Sequence, residues 1–350
     1  MKKVAQIFAF LLGVIIFFTT AACSSNGGSG STQEKTASDA STATQPAQTT
    51  PIRLGFSPWT GWYVWYLVEE KGFFKEEGVS VELNFFPVYS DSLQALNTGK
   101  VDANAQTMSD TLFPASKGLD VRAVLVNDNS YGGDGLVAKP EFKSLQDLKG
   151  KTIATELGTV DHFLMTKALD RIAMKETDVN YVNMTVNDAG AAFISGKLDA
   201  AVLWEPFLSK AIKEGKGNLL FSSKDVPGLI PDLLVFRGEV VDKRPEDVQK
   251  IVNAWFKGVA FMQQHPYEAA EIIAKKAELK TEEYQEMLKS IKLFTLQDNL
   301  QAFSPGESYI SLQYTAEETA KFLQEKGMLN NIPDVKKILD SSFVQAVEMP

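Results

Sequence analysis

The chain reads as an α/β protein of two lobes, each a mostly parallel sheet flanked by helices, with a ligand cleft between the lobes. Three observations predict this. Short apolar strands alternate with helical segments across short links, the pattern of helices packed on a parallel sheet. The plan then repeats: Leu96-Asn97-Thr98-Gly99-Lys100-Val101-Asp102-Ala103 is echoed by Phe193-Ile194-Ser195-Gly196-Lys197-Leu198-Asp199-Ala200. Their glycines stand 97 residues apart, and the first strands of the two halves, at Ile52 and Thr152, stand 100 apart. Finally, the stretch from Pro51 to Pro350 is longer than one core usually serves.

Each element has its own signal. Arg53–Phe56 is a short apolar strand, and Pro58-Trp59-Thr60-Gly61 is a turn. Trp62 to Lys71 has helical spacing and stops at Gly72, where left-handed backbone is wanted. Val79 to Phe86 alternates as a strand. Asp91 to Thr98 is a helix closed by Gly99, and Val101–Ala105 is the next strand. In the second half Thr152–Thr155 is a strand, Gly158-Thr159 a turn, and Asp161 to Met174 a helix. The C-terminal third is helical. Behind Pro245, which suits a first turn, Val248, Ile251, Val252, Trp255, Phe256 and Val259 make one apolar face, and Pro266 ends it. Thr315 and Glu318 form a capping-box pattern for a helix that Gly327 closes.

The N-terminus speaks to compartment. Lys2 and Lys3 precede an apolar run, Ile7 to Phe18, that is too short to span a membrane and fits the core of a secretory signal. Small residues lead to Cys23, the only cysteine. This resembles a bacterial lipobox, in which the cysteine is lipidated, although Thr20 stands where Leu is usual. The alternative is an ordinary signal with an incidental cysteine, which would leave an unpaired exported thiol. Residues 1–22 are therefore expected to be a signal peptide. Residues 23–50, rich in Ser, Thr, Gly, Ala and Gln, are expected to form a disordered tether reaching about 30 Å. The expected product is an extracytoplasmic, membrane-anchored monomer.

Composition excludes several classes. The formal charge is −9 and becomes −11 without Lys2 and Lys3, a poor balance for binding nucleic acid. With Cys23 committed to lipid, disulfides and cysteine-based zinc sites are excluded. Gly150-Lys151-Thr152 ends like a P-loop, but Leu145 stands where that motif needs Gly. No nucleophile elbow or HExxH occurs, and of the two histidines only His162 falls near a candidate site. No cofactor, metal or catalytic residue is expected.

What remains is polar and aromatic residues where the strands end, the place where open α/β sheets bind ligands. They are Ser57, Trp59, Thr60 and Trp62 after the first strand, and Ser109 and Asp110 after the Val101 strand. Tyr131 and Asp134 stand at a glycine-rich crossing, with Asp128 just before it. Glu156, Thr159 and Asp161 follow the second half's first strand, and Trp204 and Glu205 the Ala201 strand. Several have plainer readings. Trp62, Trp65 and Tyr66 share helical spacing and could all be core. Asp110 and Asp161 could cap helices, and Asp134 could be a turn residue.

Here the chain resembles the nitrate/sulfonate/taurine-type solute-binding proteins of ABC importers. The likeness rests on Lys71-Gly72-Phe73-Phe74-Lys75-Glu76-Glu77-Gly78, on the step Gly99-Lys100-Val101-Asp102, on Gly158-Thr159 and on Trp204-Glu205-Pro206. It implies a type II periplasmic-binding-protein fold, an importer permease as partner, and a cleft onto which Glu205 and the loop after the first strand face. It also implies lobe one at 51–133 plus 238–350 and lobe two at 134–237, with crossings near Tyr131–Gly135 and Phe236–Glu239. The ligand is expected to be a small organic cation, with guanidinium leading. Asp110, Asp134, Glu156, Asp161 and Glu205 cluster in these loops and no Lys or Arg does, while the tryptophans offer faces for a planar cation. Sulfonate, taurine or nitrate binding is the alternative, since helix N-termini can hold anions. A pyrimidine-precursor synthase on the same fold, or a sensory receptor, are further alternatives; such synthases carry a cysteine cluster that this chain lacks.

Overall fold

The computed structural model describes residues 50–348. The signal 1–22, Cys23 and the tether up to residue 49 lie outside the described residues. Among those described, no helix is long and apolar enough to cross a membrane.

The first half runs β1 (Ile52–Phe56), α1 (Val64–Glu70), α2 (Phe73–Glu77), β2 (Val81–Phe85), α3 (Tyr89–Asn97), β3 (Ala103–Thr107), α4 (Met108–Ser116) and β4 (Val121–Ser130). The second runs β5 (Asp134–Ala138), β6 (Thr152–Thr155), α5 (Val160–Arg171), β7 (Asn180–Asn183), α6 (Val186–Ile194), β8 (Ala200–Trp204), α7 (Phe207–Gly215) and β9 (Asn218–Ser222). Then come β10 (Pro231–Arg237), α8 (Gly238–Lys243), α9 (Pro245–Gln264), α10 (Pro266–Lys276), α11 (Thr281–Met287), β11 (Ile291–Leu293), α12 (Leu296–Ala302) and α13 (Leu312–Glu325).

Two sheets result, ordered β11-β4-β10-β3-β1-β2 and β7-β6-β8-β5-β9. The sequence repeat is the reason they match: β2-β1-β3 corresponds to β7-β6-β8, each trio parallel, with Gly99 (φ +73°) and Gly196 (φ +76°) making the same left-handed step into β3 and β8. Both sheets are mixed rather than simply parallel. The strand that carries the chain into each sheet from the other, β5 or β10, starts where its neighbours end and so runs antiparallel to them.

The chain leaves the first sheet after Ser130 and enters the second at Asp134. The second crossing departs from the expectation. β10 pairs with β3 and β4, so the chain has rejoined the first sheet by Pro231, ahead of the expected return at 237/238. Its glycine is Gly228 (φ +83°), whereas Gly238 opens α8. The two crossings are tied: Ser130 Oγ and Ser223 Oγ lie 2.7 Å apart, and Gly132 N–H donates to Ser223 Oγ at 2.6 Å.

The C-terminal helices return to the first sheet. α9 buries its predicted face, with Trp255 against Trp65 at 4.4 Å between ring centroids. The Thr315–Glu318 capping box does not form. α13 starts a turn earlier, at Ser311, because Leu312 is drawn into the core and leaves Thr315 buried inside the helix.

Candidate functional site

The ends of β1, β3, β4, β6 and β8 and the starts of β5 and β10 converge on one buried cavity. It is lined by Trp59, Trp62, Tyr89, Thr107, Asp134, Val160, Trp204, Ile230 and Asp232, with about 10 Å³ of space for the centre of a water molecule. That is room for about one water. Residues of both sheets meet across it. Trp204 Nε1 donates to Pro58 O at 2.9 Å, Val160 N–H to Asp110 Oδ2 at 3.2 Å, and Ser90 N–H to Glu156 Oε1 at 3.3 Å.

The local chemistry is acid meeting helix N-termini. α4 and α5 start toward the cleft from opposite sheets, and such ends attract negative charge. Asp110, on the first turn of α4, takes the Thr107 hydroxyl at 2.9 Å and also the first N–H of α5. Asp161 lies on the first turn of α5, fully buried, with neither oxygen partnered. Glu156 serves the N-termini of α3, through Ser90, and α6, through Val186. The chain thus places its own carboxylates where an anion would otherwise be held.

Three more carboxyls complete the cluster. Asp134 opens β5, lines the cavity and keeps Oδ2 unpartnered. Asp128 on β4 and Asp232 on β10 are direct cross-strand partners within hydrogen-bonding reach of each other. Trp59 Nε1 donates to both oxygens of Asp128, at 3.0 and 3.3 Å, while Asp232 Oδ2 has no partner. Burial pushes the Asp110 and Asp134 carboxyls up to about 7. Tyr89, Thr107 and Val160 partly offset this for Asp110, as Ser130 does for Asp134. Burial carries Asp128, Asp161 and Asp232 well above the usual carboxylate range, and neighbouring carboxylates add to it. No basic residue lines the cavity. A buried carboxyl must be neutral or paired, so each either holds a proton or meets a cation brought from outside. Among the described residues, no three His, Cys, Asp or Glu are gathered so as to hold a metal ion.

The sequence-derived candidates sort into three groups. Trp59, Trp62, Asp134 and Trp204 line the cavity. Ser57, Thr60, Ser109, Asp110, Glu156, Thr159 and Asp161 are buried around it, Ser57 and Thr60 with unpartnered hydroxyls, while Thr159 precedes α5 without capping it and gives its hydroxyl to Glu156 O at 2.8 Å. Two are placed elsewhere. Tyr131 is half exposed beside Lys224, whose Nζ lies 5.6 Å from its ring, because the crossing turns its side chain outward. Glu205 does not line the cavity. Its oxygens take the Ser209 hydroxyl at 2.6 Å and the Ser209 N–H at 3.3 Å, capping α7. His162 turns to Glu176 at 3.1 Å.

Sequence reasoning missed Asp232 and Tyr89 and gave Asp128 no role. Asp232 was hidden by assigning β10 to the wrong sheet; its signal was an acid opening an otherwise apolar strand, Leu233-Leu234-Val235-Phe236. Tyr89 sits before the expected start of its helix, and its hydroxyl accepts from Thr107 N–H at 3.0 Å while also bonding Asp110.

Residues 59–269 match the protein family described as NMT1/THI5 like. The chain belongs to this family. Among NMT1/THI5-like relatives, it is 31% identical over 247 residues to a Brucella abortus protein named provisionally as a binding protein, covering 67% of this chain and 76% of that one. It is 27% identical over 291 residues to the taurine-binding periplasmic protein of Escherichia coli, covering 78% and 86%. A Saccharomyces cerevisiae 4-amino-5-hydroxymethyl-2-methylpyrimidine phosphate synthase is 27% identical over 221 residues, covering 58% and 64%. Among solved structures, the alkanesulfonate-binding protein of Xanthomonas axonopodis, bound to MOPS, superposes with a TM-score of 0.70 at 17% identity, covering 83% of this chain and 98% of that one. The fold is that of the type II periplasmic binding proteins.

Proposed function

We propose that this chain is the solute-binding component of an ABC importer and that it captures a small organic cation, with guanidinium the first candidate. The importer role is supported by the family, by the periplasmic and ligand-binding relatives, and by a cavity shared between two sheets. The cation is supported by one observation above all: one buried oxygen each of Asp110, Asp134 and Asp232, and both of Asp161, stand unpartnered around a cavity that no basic residue lines. A planar guanidinium can meet a carboxylate through two parallel N–H donors, and Trp59, Trp62 and Trp204 offer faces worth ~0.5–2 kcal/mol each. The small cavity favours a small ligand, and it must widen to admit even the four heavy atoms of guanidinium. Export and anchoring through Cys23 belong to the same proposal on sequence grounds. Cys23→Ser is expected to lose lipid labelling and membrane retention; retention unchanged would remove the anchor.

The relatives' names favour a second reading, capture of taurine or an alkanesulfonate, with the α4 and α5 N-termini as the anion site. Titration calorimetry at neutral pH separates the two. Heat with guanidinium and none with taurine, an alkanesulfonate or nitrate is expected. Tight sulfonate binding with silence from guanidinium would overturn the cation and leave the importer role standing. Turnover of any bound compound would instead point to the synthase side of the family.

A further inference from the structure

The carboxyl pair formed by Asp128 and Asp232 is more than part of an acidic cluster. Antiparallel pairing of β4 with β10 sets the two residues directly opposite one another, and a bulge follows at once between Asp232 and Leu233. Gly61 lets the turn after β1 close over the pair: a Cβ there would lie 1.8 Å from Asp128 Oδ2. Trp59 donates to both oxygens of Asp128, leaving Asp128 as acceptor, so a proton shared by the pair resides on Asp232. Asp232 is 1% exposed, lines the cavity and keeps Oδ2 unpartnered.

We propose that the ligand is taken up in exchange for this proton: Asp232 holds it when the cleft shuts without a cation, and releases it to solvent as the cation docks against its carboxylate. The step balances: one cation enters, one O–H bond of Asp232 breaks, and one proton leaves to water. It rests on the cation reading above and adds Asp128 and a pH dependence to it.

The surroundings fix the sign. Asp232 faces Asp128 from β4, Asp134 from β5, Asp110 from α4 and Tyr89 from α3, and Tyr284 of α11 approaches Asp128. The charged residues packed on the other end of β10 are spent there, Glu239 on Arg237 and Asp242 on Arg122. No base among these neutralises Asp232, and burial raises its carboxyl well above the usual carboxylate range. Wherever Asp232 holds its proton, that proton competes with the ligand, so affinity rises with pH until Asp232 ionises unaided.

Guanidinium is titrated calorimetrically into the full chain at several pH values above 7, where Asp110 and Asp134 are already mostly ionised, each in buffers of different ionisation enthalpy. About one proton released per cation and affinity falling about tenfold per pH unit on acidification are expected. Asp232→Asn is expected to abolish that release. Asp128→Asn, which offers Asp232 an N–H donor in place of an acceptor, is expected to bind with a flattened pH dependence. Guanidinium binding without proton release in wild type would overturn the exchange while leaving the cation reading intact, and this arm requires no variant. Release that persists in a folded Asp232→Asn would overturn the assignment to Asp232. Silence from guanidinium with sulfonate binding would overturn both readings, and proton uptake would be the sign of that anion.

Discussion

Asp134 and Glu205 are both buried carboxylates at strand ends, yet the structure gives them different work. Asp134 lines the cavity with an unpartnered oxygen, whereas Glu205 is engaged by Ser209 at the start of α7. Removing one partner of a buried ion pair costs on the order of 3–5 kcal/mol, and each ~1.4 kcal/mol is tenfold. Asp134→Asn is therefore expected to weaken guanidinium binding by roughly a hundredfold or more. Glu205→Gln keeps an acceptor for Ser209 and is expected to change affinity by less than about tenfold, at some cost in stability. Calorimetry on both variants checks this; the reverse ranking would return the ligand to Glu205. Both acids drew attention in the sequence, Glu205 behind a strand and Asp134 at a glycine-rich crossing. The sequence could not separate them, since the distinction is made by a serine four residues on and by the direction in which the chain leaves β8. Asp232 was harder to read for another reason: what sets it apart is a cross-strand neighbour about a hundred residues away.

At the scale of elements, the period of the apolar pattern carried most of the fold. β6 spans the expected Thr152–Thr155, and the α9 face is the buried one. The repeat around Gly99 and Gly196 anticipated two matching sheets. What local pattern could not supply was the sheet to which a buried strand belongs. Leu233-Leu234-Val235-Phe236 would suit the centre of either one, and pairing with β3 and β4 decided it. The true crossing carries its own constraint. Gly228 has φ +83°, and an added Cβ would lie 2.8 Å from Tyr309 Cβ and 2.9 Å from Tyr309 O. A side chain there is strained both by conformation and by contact. Gly228→Ala is expected to lower unfolding stability by at least ~1 kcal/mol in a denaturant titration. A variant as stable as the parent would show that this crossing tolerates a side chain and is less constrained than its backbone suggests.

For the molecule as a whole, two similar sheets each contribute acids to one cavity, and the helix N-termini that would favour an anion are served by Asp110, Glu156 and nearby Asp161. Shutting such a cavity costs free energy unless the carboxyls are protonated or paired. With Asp110 and Asp134 raised to about 7, against an ordinary value near 4, the ligand-free closed form binds more protons than an open or unfolded one. The part of its stability that these two groups contribute is accordingly full below about pH 4 and is lost as pH rises toward 7. On the proposed cation reading, a cation that pairs with the ionised groups would restore what is lost, and capture would then be coupled to closure at neutral pH. The most direct measurement is a crystal structure of the chain grown with guanidinium. The account predicts a planar ion between the two sheets, within hydrogen-bonding distance of Asp134 and Asp232 and stacked against a tryptophan of the cavity. Absence of the ion from this cavity at a saturating concentration, with the same carboxylates still unpartnered, would contradict it.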